Sequence, residues 1–97
     1  MLIKIHKSYR TVVALCDTDL IGKYFEEGMR QLRMNPFFFQ GEEKSATDIM
    51  LILKKQTQED VSYNIVGKEA IAIAKKAGVI KNEHICTIQG IPYALTF

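Results

Sequence analysis

Five consecutive apolar residues, Val12-Val13-Ala14-Leu15-Cys16, follow Thr11 and stop at Asp17. Successive side chains of a strand point to opposite faces, so this run presents apolar groups on both sides and belongs in the middle of a sheet that is covered above and below. A chain of 97 residues buries roughly 65% of its extended surface on folding, enough for one modest core. The expectation is therefore a single domain, residues 1–97, whose other segments supply that cover.

Leu2, Ile3 and Ile5 precede the polar connection Lys7-Ser8-Tyr9-Arg10, so the first two strands read as a hairpin. After Asp17-Thr18-Asp19, the near-helical spacing of Leu20, Ile21, Tyr24 and Phe25 predicts a short helix or coiled turn that lasts until Gly28. The segment from Arg30 to Met34 alternates as a short half-buried strand and ends at Asn35-Pro36. Phe37, Phe38 and Phe39 cannot all face one side of a strand, so either both faces are covered or one ring is open to a partner. Gly41 supplies a turn after them.

Ser45 with Asp48 approximates a capping box for a helix whose body is Ile49 to Leu53 and whose end is Lys54-Lys55. A polar connection, Gln56 to Ser62, follows. Asn64 is then placed to cap a second helix, Ile65 to Ala77, with Val66, Ala70, Ile73, Ala74 and Ala77 on one face and Lys68, Lys75 and Lys76 largely outside it. Gly78 ends that helix, with Val79 and Ile80 positioned for the apolar contact of a glycine C-cap. Ile85 to Ile88 and Ile91 to Phe97 form a hairpin around Gln89-Gly90, and Pro92 favours an edge position. The fold class is α+β: a small mixed or antiparallel sheet from the N- and C-terminal strands with two main helices.

Composition narrows the function classes. Hydrophobic residues make up 47% and charged residues 25%, an ordinary globular balance that excludes disorder and low-complexity architectures. Thirteen Lys and Arg against eleven Asp and Glu leave a formal charge of +2, far from that of a dedicated nucleic-acid binder, so any RNA or DNA contact must be local. Two cysteines, Cys16 and Cys86, fit reduced thiols in a cytosol better than a secreted disulfide framework. The N-terminal residues lack the apolar core of a signal peptide, and Ile49 to Leu53 falls far short of the roughly 18 residues of a spanning helix. The expected setting is cytoplasmic, without a membrane.

Several short motifs in order carry a family resemblance: Cys16-Asp17-Thr18-Asp19-Leu20-Ile21-Gly22-Lys23, Glu26-Glu27-Gly28, Phe39-Gln40-Gly41-Glu42, Asn64-Ile65-Val66-Gly67-Lys68-Glu69-Ala70 and Ile88-Gln89-Gly90-Ile91-Pro92-Tyr93-Ala94. Together they resemble the archaeal domain of unknown function 424 over nearly the whole chain. Tyr93 stands where the family pattern carries histidine, which withdraws any general-base or metal role there. The resemblance implies small archaeal proteins associated with translation genes, and through that an expectation of RNA or ribosome contact. It supplies no catalytic residues.

Among the candidate sites, Asn64 to Lys68 offers a helix N-terminus with free backbone N–H groups, Gly67 for close approach and the charge of Lys68, a place for a phosphate. The plainer reading is that Asn64 caps and Gly67 makes room for packing. Lys23, beside Gly22, joins the same anion if the fold brings it there. Gly67-Lys68-Glu69-Ala70 matches the glycine-rich loop of a K-homology domain only in part, because Ala70 replaces the second glycine and Glu69 is acidic. A Walker loop is absent. Phe37, Phe38 and Phe39, preceded by Arg30 and Arg33, are candidates for a base-stacking platform or a partner-binding patch, against a default of core packing. Cys16 closes an apolar run with no cation beside it, as a buried structural thiol does. Asp17, Asp19, Glu26 and Glu27 read equally well as solvated turn carboxylates, and a metal site from Cys16, Cys86, His6 and His84 would need distant positions to converge, since only His84 and Cys86 are close in sequence. No catalytic residue, metal or cofactor is assigned.

The expected function is a small non-catalytic binding module that engages RNA or a ribosomal component through Asn64, Gly67, Lys68, Lys23, Arg30 and Arg33. The alternative is a protein-interaction or homo-oligomerising subunit that uses the phenylalanine run, or the C-terminal strand as an open edge. A small enzyme acting on a phosphorylated metabolite is a third class.

Overall fold

The computed structural model describes residues 1–56 and 60–96. In chain order the elements are β1 (Leu2–Lys7), β2 (Thr11–Cys16), a 3-10 turn (Thr18–Leu20), β3 (Tyr24–Glu27), β4 (Arg30–Arg33), the single helical turn α1 (Pro36–Phe39), β5 (Glu42–Glu43), α2 (Ala46–Lys55), β6 (Val61–Val66), α3 (Lys68–Ala77), a second 3-10 turn (Asn82–His84), β7 (Cys86–Ile88) and β8 (Ile91–Thr96). The architecture is α+β: a six-stranded mixed sheet in the order β5-β1-β2-β6-β8-β7, a separate β3–β4 hairpin, and two main helices.

β2 is central, as its apolar run demands. It pairs antiparallel with β1, Leu2 opposite Cys16, and parallel with β6, Cys16 opposite Val66. Alternation then divides the core. Ile3, Val13, Leu15, Tyr63 and Ile65 face α2 and α3, where Ile49, Leu53, Ala70, Ile71 and Ala74 meet them. Leu2, Ala14, Cys16 and Val66 face the other way, under Leu20, Met34 and Phe39, with Phe25 and Leu32 of the hairpin packed behind. Ser45 caps α2 by accepting the Asp48 N–H at 3.2 Å. Gly78, in the left-handed conformation, ends α3: its N–H donates to the Lys75 carbonyl and that of Val79 to the Ala74 carbonyl, the paired bonds of a Schellman cap. Among the described residues no buried side-chain nitrogen or oxygen lacks a hydrogen-bond partner.

Several expectations need correction. Asn64 is not a helix cap: residues 61–66 form β6, paired on both sides, with Asn64 between Ala14 and Leu95. A ladder on each side outweighs a local capping signal, and the helix starts only at Lys68. Its buried face accordingly carries Ala70, Ile71 and Ala74, with Ile73 at the margin and Val66 on the strand instead. The helix expected up to Gly28 shrinks to Thr18–Leu20, because Tyr24 and Phe25 pair with Arg33 and Leu32. The phenylalanine run is helical: Asn35 caps it through Oδ1, which accepts the Phe37 N–H at 2.9 Å, and Pro36 opens the turn. Pro92 is not on an edge strand, since β8 lies between β6 and β7. It is tolerated because β6 pairing begins only at Tyr93, and the Pro92 carbonyl accepts the Gly67 N–H at 2.9 Å. The C-terminal strand is thus no open edge for another chain. Residues 57–59 of the polar connection and Phe97 of the last strand lie outside the described residues.

The layer beneath the hairpin is genuine core, and Met34, fully buried there, tests it. Met34→Ala is expected to lower the unfolding free energy by about 2–4 kcal/mol, measured by urea denaturation.

Candidate nucleic-acid interface

The expected anion site at the start of α3 is already filled from within. β2 and β6 run parallel and end side by side, so Asp17, the residue after β2, sits against the first turn of the helix after β6. Its carboxylate accepts the Ala70 N–H at 2.8 Å and the Glu69 N–H at 3.2 Å. Those are the donors a phosphate would have used, and a second anion beside this carboxylate would be repelled. Gly67 makes the approach possible: its φ is +114°, and a Cβ there would collide with the Asp17 carboxyl group. Gly67 is therefore structural, Lys68 is an exposed residue of the first helical turn, and Asn64 lies within the sheet.

Arg30 is committed as well. Its guanidinium donates to the Thr87 carbonyl at 2.7 Å and to Glu27 Oε2 at 2.6 Å, and reaches the Tyr93 hydroxyl at 3.5 Å. Glu27 Oε1 in turn accepts the Gln89 N–H at 2.7 Å. Hydrogen bonding to Tyr93 leads in raising the Arg30 pKa above its ordinary value, and the charge of Glu27 adds to it. Together these groups clamp the β3–β4 hairpin onto the β7–β8 hairpin.

Lys23 and Arg33 come together elsewhere. Gly22 N–H donates to the Met34 carbonyl at 2.8 Å and Met34 N–H to the Lys23 carbonyl at 2.9 Å, which closes the base of the β3–β4 hairpin. This sets Lys23 and Tyr24 across from Arg33 and Met34. Tyr24 and Arg33 are cross-strand partners, and the Arg33 guanidinium stacks 5.2 Å from the Tyr24 ring centroid. Immediately after Arg33 and Met34, the Asn35 cap turns the chain into α1. The result is an open cavity of about 490 Å³ lined by Lys23, Tyr24, Arg33, Asn35, Pro36 and Phe37, with Gly22 and Met34 at its base.

The three phenylalanines divide by role. Phe39 is 4% exposed and belongs to the core beneath α1. Phe38 stacks on His6, centroids 4.7 Å apart, and meets Phe39 edge-on at 5.0 Å. Phe37 is 87% exposed. Phe37 also lines a second cavity of about 360 Å³, together with Lys4, Pro36 and Gln40. Lys4 Nζ donates to the Phe37 carbonyl at 2.7 Å, which holds the ammonium at the backbone of that residue. Lys4 and Tyr24 were not among the residues singled out from sequence; the only hint of Lys4 was its alternation with apolar neighbours on β1.

Cys16 is fully buried, and burial first, with the charge of Asp17 second, pushes its thiol up to about 11. Cys86 is exposed, and neither cysteine is in a disulfide. Among the described residues no three His, Cys, Asp or Glu side chains converge to hold a metal ion, and no helix is long and apolar enough to cross a membrane.

The family model described as "Protein of unknown function (DUF424)" matches residues 5–97, so the chain belongs to that family. It is also similar to the crystal structure of an uncharacterized conserved protein from Methanopyrus kandleri, with 27% identity, a TM-score of 0.78, and coverage of 98% of this chain and 88% of that one. No curated protein matches.

Asp17→Ala frees two helix N–H groups and removes their charge partner, and should cost about 1–3 kcal/mol in urea unfolding. In the native protein at pH 8 a chromogenic disulfide reagent should titrate Cys86 alone, with Cys16 reacting only after denaturation. Because the folded thiol keeps its proton past the ordinary value of about 8.5, the stability Cys16 contributes is intact below that pH and is lost as pH rises toward 11.

Proposed function

We propose that this protein is a small non-catalytic cytosolic module that binds RNA, free or within a ribosomal particle, through the cleft between the β3–β4 hairpin and α1. The observation that carries the reading is the convergence of Lys23 and Arg33 on one cavity whose other walls are Tyr24 and the exposed Phe37. Two cations beside accessible aromatic rings supply the two elements of sequence-tolerant RNA binding, phosphate attraction and base stacking. Overall charge of only +2 is compatible with this, because the cations needed are gathered locally. Glu26 accepts from the Tyr24 hydroxyl at 3.4 Å, so a carboxylate lies next to one of the lining residues and limits the anion-attracting surface. The free thiol of the exposed Cys86 suits a reducing cytosol.

The test is equilibrium binding of the purified protein to RNA and to ribosomal subunits across a salt series. Affinity should fall as salt rises. Lys23→Glu and Arg33→Glu should each weaken binding, and each should reduce the log–log salt slope by about 0.7 for a single strand. Lys68→Glu, on the helix already capped by Asp17, should bind like the parent protein. No binding at low salt, or equal binding by all three variants, would overturn the proposal.

A further inference from the structure

We infer that the ligand of this site is single-stranded, and that Phe37 stands between two successive bases, one nucleotide in each of the flanking cavities. The inference rests on the RNA-binding reading above and adds the mode of engagement. Three features carry it. The cavities of about 490 and 360 Å³ both have Pro36 and Phe37 in their linings, so this segment is the ridge they share, and the Phe37 side chain on it is exposed. Each side has its own cation: Lys23 and Arg33 on one, Lys4 on the other, the latter anchored to the Phe37 carbonyl with hydrogens left to donate. Finally, the ridge is fixed at its base by the Asn35 cap and by Pro36, so presenting the ring orders no additional backbone.

A strand crossing this ridge places a phosphate near a cation on either side while one ring face meets each base. Base–aromatic stacking is tolerant of sequence, because every base has a π-face. Gln40, on the Lys4 side, adds an amide that can donate to and accept from a base edge. In a duplex, adjacent bases are stacked on each other and their edges paired, so the same insertion first requires a base step to be opened. Discrimination against duplex is thus a direct consequence of the ridge.

The experiment compares parent, Phe37→Ala and Phe37→Trp for binding to one fluorescent single-stranded RNA and to its duplex, with Lys23→Glu in parallel and thermal unfolding as a check on folding. Phe37 is solvent-exposed, so its variants should unfold like the parent. Phe37→Ala should weaken single-strand binding by about 5- to 100-fold, the range expected for losing base–aromatic stacking, while leaving the salt slope unchanged. Phe37→Trp should restore it, and the parent should prefer the single strand. If Lys23→Glu weakens binding but Phe37→Ala does not, or if Phe37→Ala weakens duplex and single strand equally, the ridge is wrong and the cleft reading survives. Absence of any binding overturns both.

Discussion

The Asp17 carboxylate joins the central sheet to the second helix, and much of the topology is arranged around that one contact. In a parallel β2–β6 pair the two strands end at the same edge, so the residue leaving β2 and the helix leaving β6 become neighbours. An acidic residue there meets the positive end of α3 and satisfies two of its orphan N–H groups. The approach is so close that position 67 has to lack a side chain. Gly67 also donates to Pro92, which ties β8 to the same junction, and Asp17 N–H donates to the Val66 carbonyl. Strand, helix and C-terminal hairpin are thus registered at one corner by three backbone segments and a single charged side chain.

From that corner the molecule grows in two directions, because β2 has two apolar faces to cover. The helices take one face through Ile49, Leu53, Ile71 and Ala74. The other is covered by smaller pieces, the Leu20 turn, Met34 and α1, which have few hydrogen bonds of their own. Their position depends on clamps: Glu27 and Arg30 reaching to Gln89 and Thr87, and the stacking of Phe38 on His6. The cleft arises in this second layer. Its two walls are the base of the hairpin and the first residues of α1, joined through Met34, the one residue of that stretch anchored fully in the core.

Legibility from sequence follows the range of the interactions. The β1–β2 hairpin, the Ser45 cap, the Gly78 helix end and the Gln89-Gly90 turn are all written in residues within a few positions of each other, and all are present. β6 was hidden because its pairing partners, residues 11–16 and 93–96, are remote in sequence, while Asn64 before a run of helix formers supplied a misleading local signal. The spacing of Leu20, Ile21, Tyr24 and Phe25 misled for the same reason: the ladder to Arg30–Arg33 decides against the helical period. For the site, Lys23, Arg33 and Phe37 were visible as residue types but not as neighbours. That Asp17 occupies the helix N-terminus, that Arg30 is spent on a clamp, and that Lys4 flanks Phe37 all depend on contacts between residues 33 or more positions apart, or on shared partners across hairpins.

An exposed aromatic ring is by itself ordinary, since much of any protein surface is apolar. Phe37 differs from the exposed Tyr9 and Met29 in what surrounds it. Its two neighbours in the run are committed inward, one to a core cluster and one to His6, and a capped helical turn fixes the direction in which the third must emerge. Full burial of such a ring would contribute about 1.5–3 kcal/mol, yet the fold leaves it in water, in the lining of two cavities that also hold Lys4, Lys23 and Arg33. Because none of the core clusters uses that ring, the fold and the surface it presents are separable here: Phe37 stands outside the packing, whereas Phe39, two residues on in the same turn, is part of it.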